Sequence, residues 1–180
     1  MKRINVLFII CVLFCPGVFA QKGNNQIGIG ADVSLPTGQF GNYYKPSFGG
    51  YAKAMLGVGK SGQVTFTTGY SSFQQSIQDV EFTTAISIIP LLLGYRANFN
   101  GFFVEPQLGY GVFGGKFLSA DGDFFSKTTG SFMWAAGIGY AFNKKVEVSA
   151  RYQVGSKNGS ALSVFGLRLG YNFSLNSSKK

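Results

Sequence analysis

Residues Ser87 to Phe113 read S-I-I-P-L-L-L-G-Y-R-A-N-F-N-G-F-F-V-E-P-Q-L-G-Y-G-V-F. Side chains of a strand point alternately to opposite faces, so every second residue belongs together. Ile89, Leu91, Leu93 and Tyr95 share one face, continued by Phe102, Val104, Leu108, Tyr110 and Val112 after an Asn-rich link from Ala97 to Gly101. The opposite face carries Gly94, Arg96, Glu105, Gln107, Gly109 and Gly111. An oily, aromatic face backed by a small, polar one is the pattern of a strand pair with lipid on one side and a narrow lumen on the other.

The same period extends in both directions. Strands are expected over Gln26–Leu35, Phe48–Val58, Gln63–Ser71, the two arms of the hairpin, Ser131–Phe142, Lys145–Gln153 and Leu162–Phe173. Their connections alternate between long and short, with Thr37–Ser47, Ser72–Glu81 and Gly114–Gly130 as the long ones. Gly59-Lys60-Ser61-Gly62 and Asn143-Lys144 read as tight turns. Long external loops alternating with short periplasmic turns are expected of an all-β, eight-stranded antiparallel up-and-down transmembrane β-barrel.

Composition points the same way. Charged residues are 13% of the 180-residue chain and aromatics 16%, against about 25% charged in an ordinary soluble domain. The start of the chain has its own pattern: Lys2 and Arg3, an apolar run from Ile4 to Phe14, then Val18-Phe19-Ala20. Residues 1–20 are expected to be a cleaved signal peptide, with the barrel domain over 21–180. The apolar run is too short for a membrane-spanning helix, and Phe14 occupies the place where a small residue would precede a lipidated Cys15.

Cleavage would remove both cysteines, Cys11 and Cys15, and the chain has no histidine. Disulfides, thiolate or imidazole metal sites and histidine-based catalysis are therefore not expected. Loss of Lys2 and Arg3 brings the net charge from +9 to +7. Lys22, Lys60, Lys144, Lys145, Lys179 and Lys180 fall at the turn-and-termini end, where a basic ring would meet lipid phosphates. Nucleic acid is not an expected partner.

A soluble lipocalin-like barrel would share the alternation but reverse it, with the oily face inside. Three observations favour the transmembrane sense. The strand charges Asp32, Lys53, Arg96, Glu105, Glu147, Arg151 and Arg168 are few, of mixed sign and all opposite the aliphatic face. That suits a paired lumen network, since buried charges need partners. The polar face is also crowded with glycine, at 28, 30, 94, 109, 111, 137, 139 and 166, as a tight interior requires. Finally, Tyr95, Phe102, Tyr110, Phe132, Tyr140, Phe142, Tyr152, Tyr171 and Phe173 lie on the oily face near strand ends, where interfacial girdles belong.

Four segments carry a family resemblance: I-P-L-L-L-G-Y at Ile89–Tyr95, F-V-E-P-Q-L-G-Y at Phe103–Tyr110, A-G-I-G-Y-A-F at Ala136–Phe142 and L-R-L-G-Y-N-F at Leu167–Phe173. Together they resemble the small bacterial outer-membrane β-barrel family, of the OmpA-barrel, OmpX or OmpW type. The resemblance spans Gln26 to Phe173 and implies residence in the bacterial outer membrane among its lipids. It also implies insertion by the barrel-assembly machinery, which would recognise the aromatic-ended last strand. Enzymatic barrels occur among such proteins, but those built on histidine lack their base here. Glu105 and Glu147 share their face with cations and read as paired rather than catalytic.

Gly109-Tyr-Gly-Val-Phe-Gly114 spells a dinucleotide-binding fingerprint without the helix that would have to follow it. It reads as alternating lumen glycines, and no cofactor is expected. The leading expectation is a monomeric, non-enzymatic barrel with a structural or interaction role and loops that meet an extracellular partner. The alternative is a narrow channel or uptake barrel for small or apolar solutes.

Overall fold

The computed structural model describes residues 25–58, 61–75, 85–118, 124–157 and 160–175. The expected signal peptide lies outside them, as do Lys22, Lys60, Lys179 and Lys180. Eight strands follow in chain order: β1 (Gln26–Thr37), β2 (Ser47–Val58), β3 (Gly62–Gln74), β4 (Ala85–Phe99), β5 (Phe102–Leu118), β6 (Phe124–Phe142), β7 (Val146–Lys157) and β8 (Ser160–Ser174). Each pairs antiparallel with the next, and β8 closes on β1. Closure satisfies every edge, the condition for a sheet to stand in hydrocarbon where water cannot serve the backbone.

The short connections are dictated by local chemistry. Asn100 and Gly101 both take positive φ, 49° and 93°, as do Asn143 and Lys144 at 49° and 58°. Two successive positive-φ residues form the hairpin turn whose twist matches that of the flanking strands. Asn and Gly enter this region at little cost, whereas Lys144 is held there by the ladder that continues on both sides.

One long connection is shorter than the alternation of the sequence suggests, and another is shifted along the chain. β5 and β6 stay paired as far as Leu118 and Phe124, so most of Gly114–Gly130 is strand rather than loop. Backbone pairing continues there although the sequence loses its regular alternation of apolar and polar residues. Likewise β3 continues to Gln74, taking Ser72 into the sheet. Between β1 and β2, the one-turn helix α1 (Gly38–Gly41) turns the chain back over the barrel mouth.

The barrel is inverted relative to a soluble protein. Ile29, Leu93, Leu108, Ile138, Leu167 and Leu169 are each at least half exposed, while Lys53, Arg96, Glu105 and Glu147 are buried. Phe102 lies directly across from Tyr140, and Tyr110 directly across from Phe132. Their separation along β5 is eight residues, about 27 Å along the strand and, at a tilt of about 40°, roughly 20 Å across the membrane, the scale of the apolar band of an outer-membrane barrel. Tyr140–Phe142 and Tyr171–Phe173 are edge-on pairs at 4.8 Å that build the girdle at the turn end. Tyr95 completes that girdle, while Tyr152 meets Trp134 at 6.1 Å on the loop side.

Candidate functional site

The side chains that line the lumen are sorted by chemistry along its axis. Toward the turns lies an ionic quartet drawn from four strands: Lys53 of β2, Arg96 of β4, Glu105 of β5 and Glu147 of β7. Lys53 Nζ stands 3.0 Å from Glu105 Oε2 and 3.1 Å from Glu147 Oε1. Arg96 reaches the same two carboxylates, at 3.2 Å and 2.7 Å. Each cation therefore bridges both acids, and the group is neutral as a whole.

The remaining lone pairs are occupied. Thr65 Oγ1 and Gln107 Nε2 donate to Glu105 Oε1 at 2.9 and 2.7 Å, and Asn172 Nδ2 donates to Glu147 Oε2 at 3.2 Å. The Arg96 guanidinium lies 3.6 Å above the Phe103 ring, close enough for cation–π attraction. Such a network is stable inside a barrel only because every carboxylate oxygen finds a donor.

Midway along the lumen, Arg168 stacks 4.4 Å from the Tyr51 ring and stands 3.7 Å from Asp32. Gly30 and Gly170, directly opposed on β1 and β8, make room for that ring. A Cβ on Gly170 would fall 2.2 Å from the Tyr51 hydroxyl, and one on Gly30 would fall 2.7 Å from the ring edge. Arg151 shares this level and is also buried.

Toward the loops the lumen turns apolar. Phe73, Ile88, Leu92, Phe113, Met133 and Val164 point inward and pack with Phe40 of α1. Phe40 meets Phe73 at 5.3 Å and Tyr44 at 4.5 Å, so the first long connection folds down as a stopper. Hairpin residues 88, 92, 103 and 113 thus face inward, whereas alternation alone pairs the oily face with lipid. The signal was present as consecutive apolar residues (Ile88-Ile89, Leu91-Leu92-Leu93, Phe102-Phe103), which make both faces of a strand oily at once.

All seven charged residues singled out in the sequence are buried in the lumen, and six of them form ion pairs: Lys53, Arg96, Glu105 and Glu147 in the quartet, and Arg168 with Asp32. Tyr51, Thr65, Thr67, Gln107 and Asn172 were not singled out, because only the fold shows which polar residue meets which charge. The glycine run at 109–114 lies within β5. No helix follows it there, so the fingerprint has none of the geometry a dinucleotide needs.

A closed barrel with an oily exterior, two aromatic girdles and a charged interior is an integral outer-membrane protein. The chain matches the family described as outer membrane protein beta-barrel domain over residues 7–173, and it belongs to that family. Similar solved structures have the same architecture. Ail of Yersinia pestis, in complex with the heparin analogue sucrose octasulfate, is 18% identical, with 85% of this chain and 100% of Ail aligned at a TM-score of 0.66. The N-terminal barrel of Pseudomonas aeruginosa OprF is 16% identical over 84% of this chain and 100% of its own, at 0.61. Neisserial surface protein A is 13% identical over 84% and 97%, at 0.58. None of the curated proteins is similar enough in sequence to be matched.

Proposed function

We propose that this is a closed, monomeric, non-catalytic barrel whose role lies in its outer loops, as a structural or recognition element of the envelope. The carrying observation is the double closure of the lumen by the ionic quartet and then by the apolar layer under α1. An ion that passed the quartet and the Arg151–Arg168 level would then meet Phe73, Phe113, Ile88 and Met133, which offer it no ligand. The two glutamates are each held by two cations and are not free to act as bases.

Several companion readings rest on the sequence. Residues 1–20 would be the cleaved leader, Leu167–Phe173 the strand engaged by the assembly machinery, and the girdles the contact with outer-membrane lipid. Ail has been seen with a heparin analogue, so a barrel of this fold can take a ligand. The channel alternative draws on one feature of the quartet: each cation already touches both acids, so partner exchange would need little motion.

Planar-bilayer recording of the refolded protein, checked by heat-dependent gel mobility, separates the two. A shifted band without conductance steps is expected. Discrete steps from the same preparation would refute the closed barrel. Protease treatment of intact cells should cut in the long connections; complete resistance there would argue against a recognition role for the loops.

A further inference from the structure

Among the described residues, the inward charges are four cations (Lys53, Arg96, Arg151 and Arg168) and three carboxylates (Asp32, Glu105 and Glu147). The quartet is neutral, and Asp32 stands beside Arg168. Arg151 is the remainder. It is 5% exposed, and Nε and both terminal nitrogens lack a hydrogen-bond partner among the described residues. A guanidinium does not surrender its proton, so this level of the lumen carries one more buried positive charge than negative.

Space has been kept beside that charge. Arg151 is flanked across both neighbouring strands by glycine, Gly137 on β6 and Gly166 on β8. Elsewhere in the lumen an added Cβ would collide, as at Gly30 and Gly170. At Gly137 and Gly166 it would meet nothing closer than 3.5 and 3.8 Å. At these two glycines a Cβ would make only ordinary van der Waals contact, where at the others a neighbour blocks it. A cavity of about 10 Å3 adjoins Arg151 and Arg168, with Ser149 and Gln107 also on its wall. Lys53 and Glu105 face it from the quartet side. On the other flank Asp32, Ser34 and Gln153 close in on Arg151 and Arg168 with no room for a water.

We propose that the barrel binds one small monovalent anion, of chloride size, between the Arg151 and Arg168 guanidiniums. The anion would complete the charge balance of the lumen and take the hydrogen bonds Arg151 now lacks. The volume is on the scale of a single water or small monatomic ion. The site is independent of what the loops recognise.

Crystals of the refolded barrel grown from sodium bromide test this directly, because bromide scatters anomalously. A peak within hydrogen-bond reach of the Arg151 guanidinium is expected, and it should vanish in Arg151→Gln. Chloride should also raise the heat-unfolding midpoint over isethionate, an anion too large for the cavity, at equal ionic strength. A ligand near ten times its dissociation constant gives a shift of about 3–6 °C for a chain of this size. The shift should disappear in Arg151→Gln. A wild-type map with no bromide at Arg151, equal midpoints in the two salts, or a chloride effect that survives the substitution would each overturn the assignment. Should Arg151→Gln fail to refold, the wild-type bromide map decides alone.

Discussion

Glu147→Gln tests whether the lumen is held together by charge balance. The Glu147 carboxylate is 1% exposed and accepts from Arg96 at 2.7 Å, Lys53 at 3.1 Å and Asn172 at 3.2 Å. Glutamine keeps the shape and removes the charge, leaving two buried cations to share Glu105. Breaking a buried pair from one side costs about 3–5 kcal/mol. Lys53→Met leaves two carboxylates on Arg96 and should cost a similar amount. The double variant restores neutrality with Arg96–Glu105 intact at 3.2 Å. Its cost should therefore fall short of the summed single costs by about 2–3 kcal/mol. Urea unfolding from lipid vesicles, followed through Trp134, the chain's one tryptophan, gives the three free energies. Additive costs, or a single substitution below about 1 kcal/mol, would refute a charge-balanced lumen.

Other substitutions examine the remaining layers. Leu93→Arg, on the lipid face between the girdles, should destabilise the barrel in vesicles by about 2–4 kcal/mol; a near-neutral result would contradict the outward assignment of that face. Phe113→Ala should cost about 3–5 kcal/mol if the apolar layer is packed as a core, and an unchanged urea midpoint would show that it is not. Gly170→Ala should cost about 1–3 kcal/mol through collision with Tyr51, and Tyr51→Phe in the same chain should recover part of it. If the second change brings no recovery, the clash lies elsewhere.

Much of this architecture was legible in the chain. Alternation over Gln26–Leu35 or Lys145–Gln153 depends only on neighbours two apart, so it reveals strands, their faces and their number before anything is folded. Even the hairpin turns were local, since Asn100-Gly101 carries its own conformational preference. The ends of β5 and β6 were not legible, because their pairing with each other is not accompanied by a regular apolar alternation in the sequence.

The sequence by itself determined that this chain forms eight amphipathic strands with charges on the inner face, and hence where it resides. Only the tertiary structure decided what those charges do. Lys53, Arg96, Glu105 and Glu147 come from four strands and meet solely because the sheet closes with one particular register. Closure likewise gathered Phe40, Phe73, Phe113 and Met133 into a second layer and left Arg151 facing two glycines instead of an acid. A strand's face is a property of its own residues, whereas a partner across the lumen is a property of the circumference.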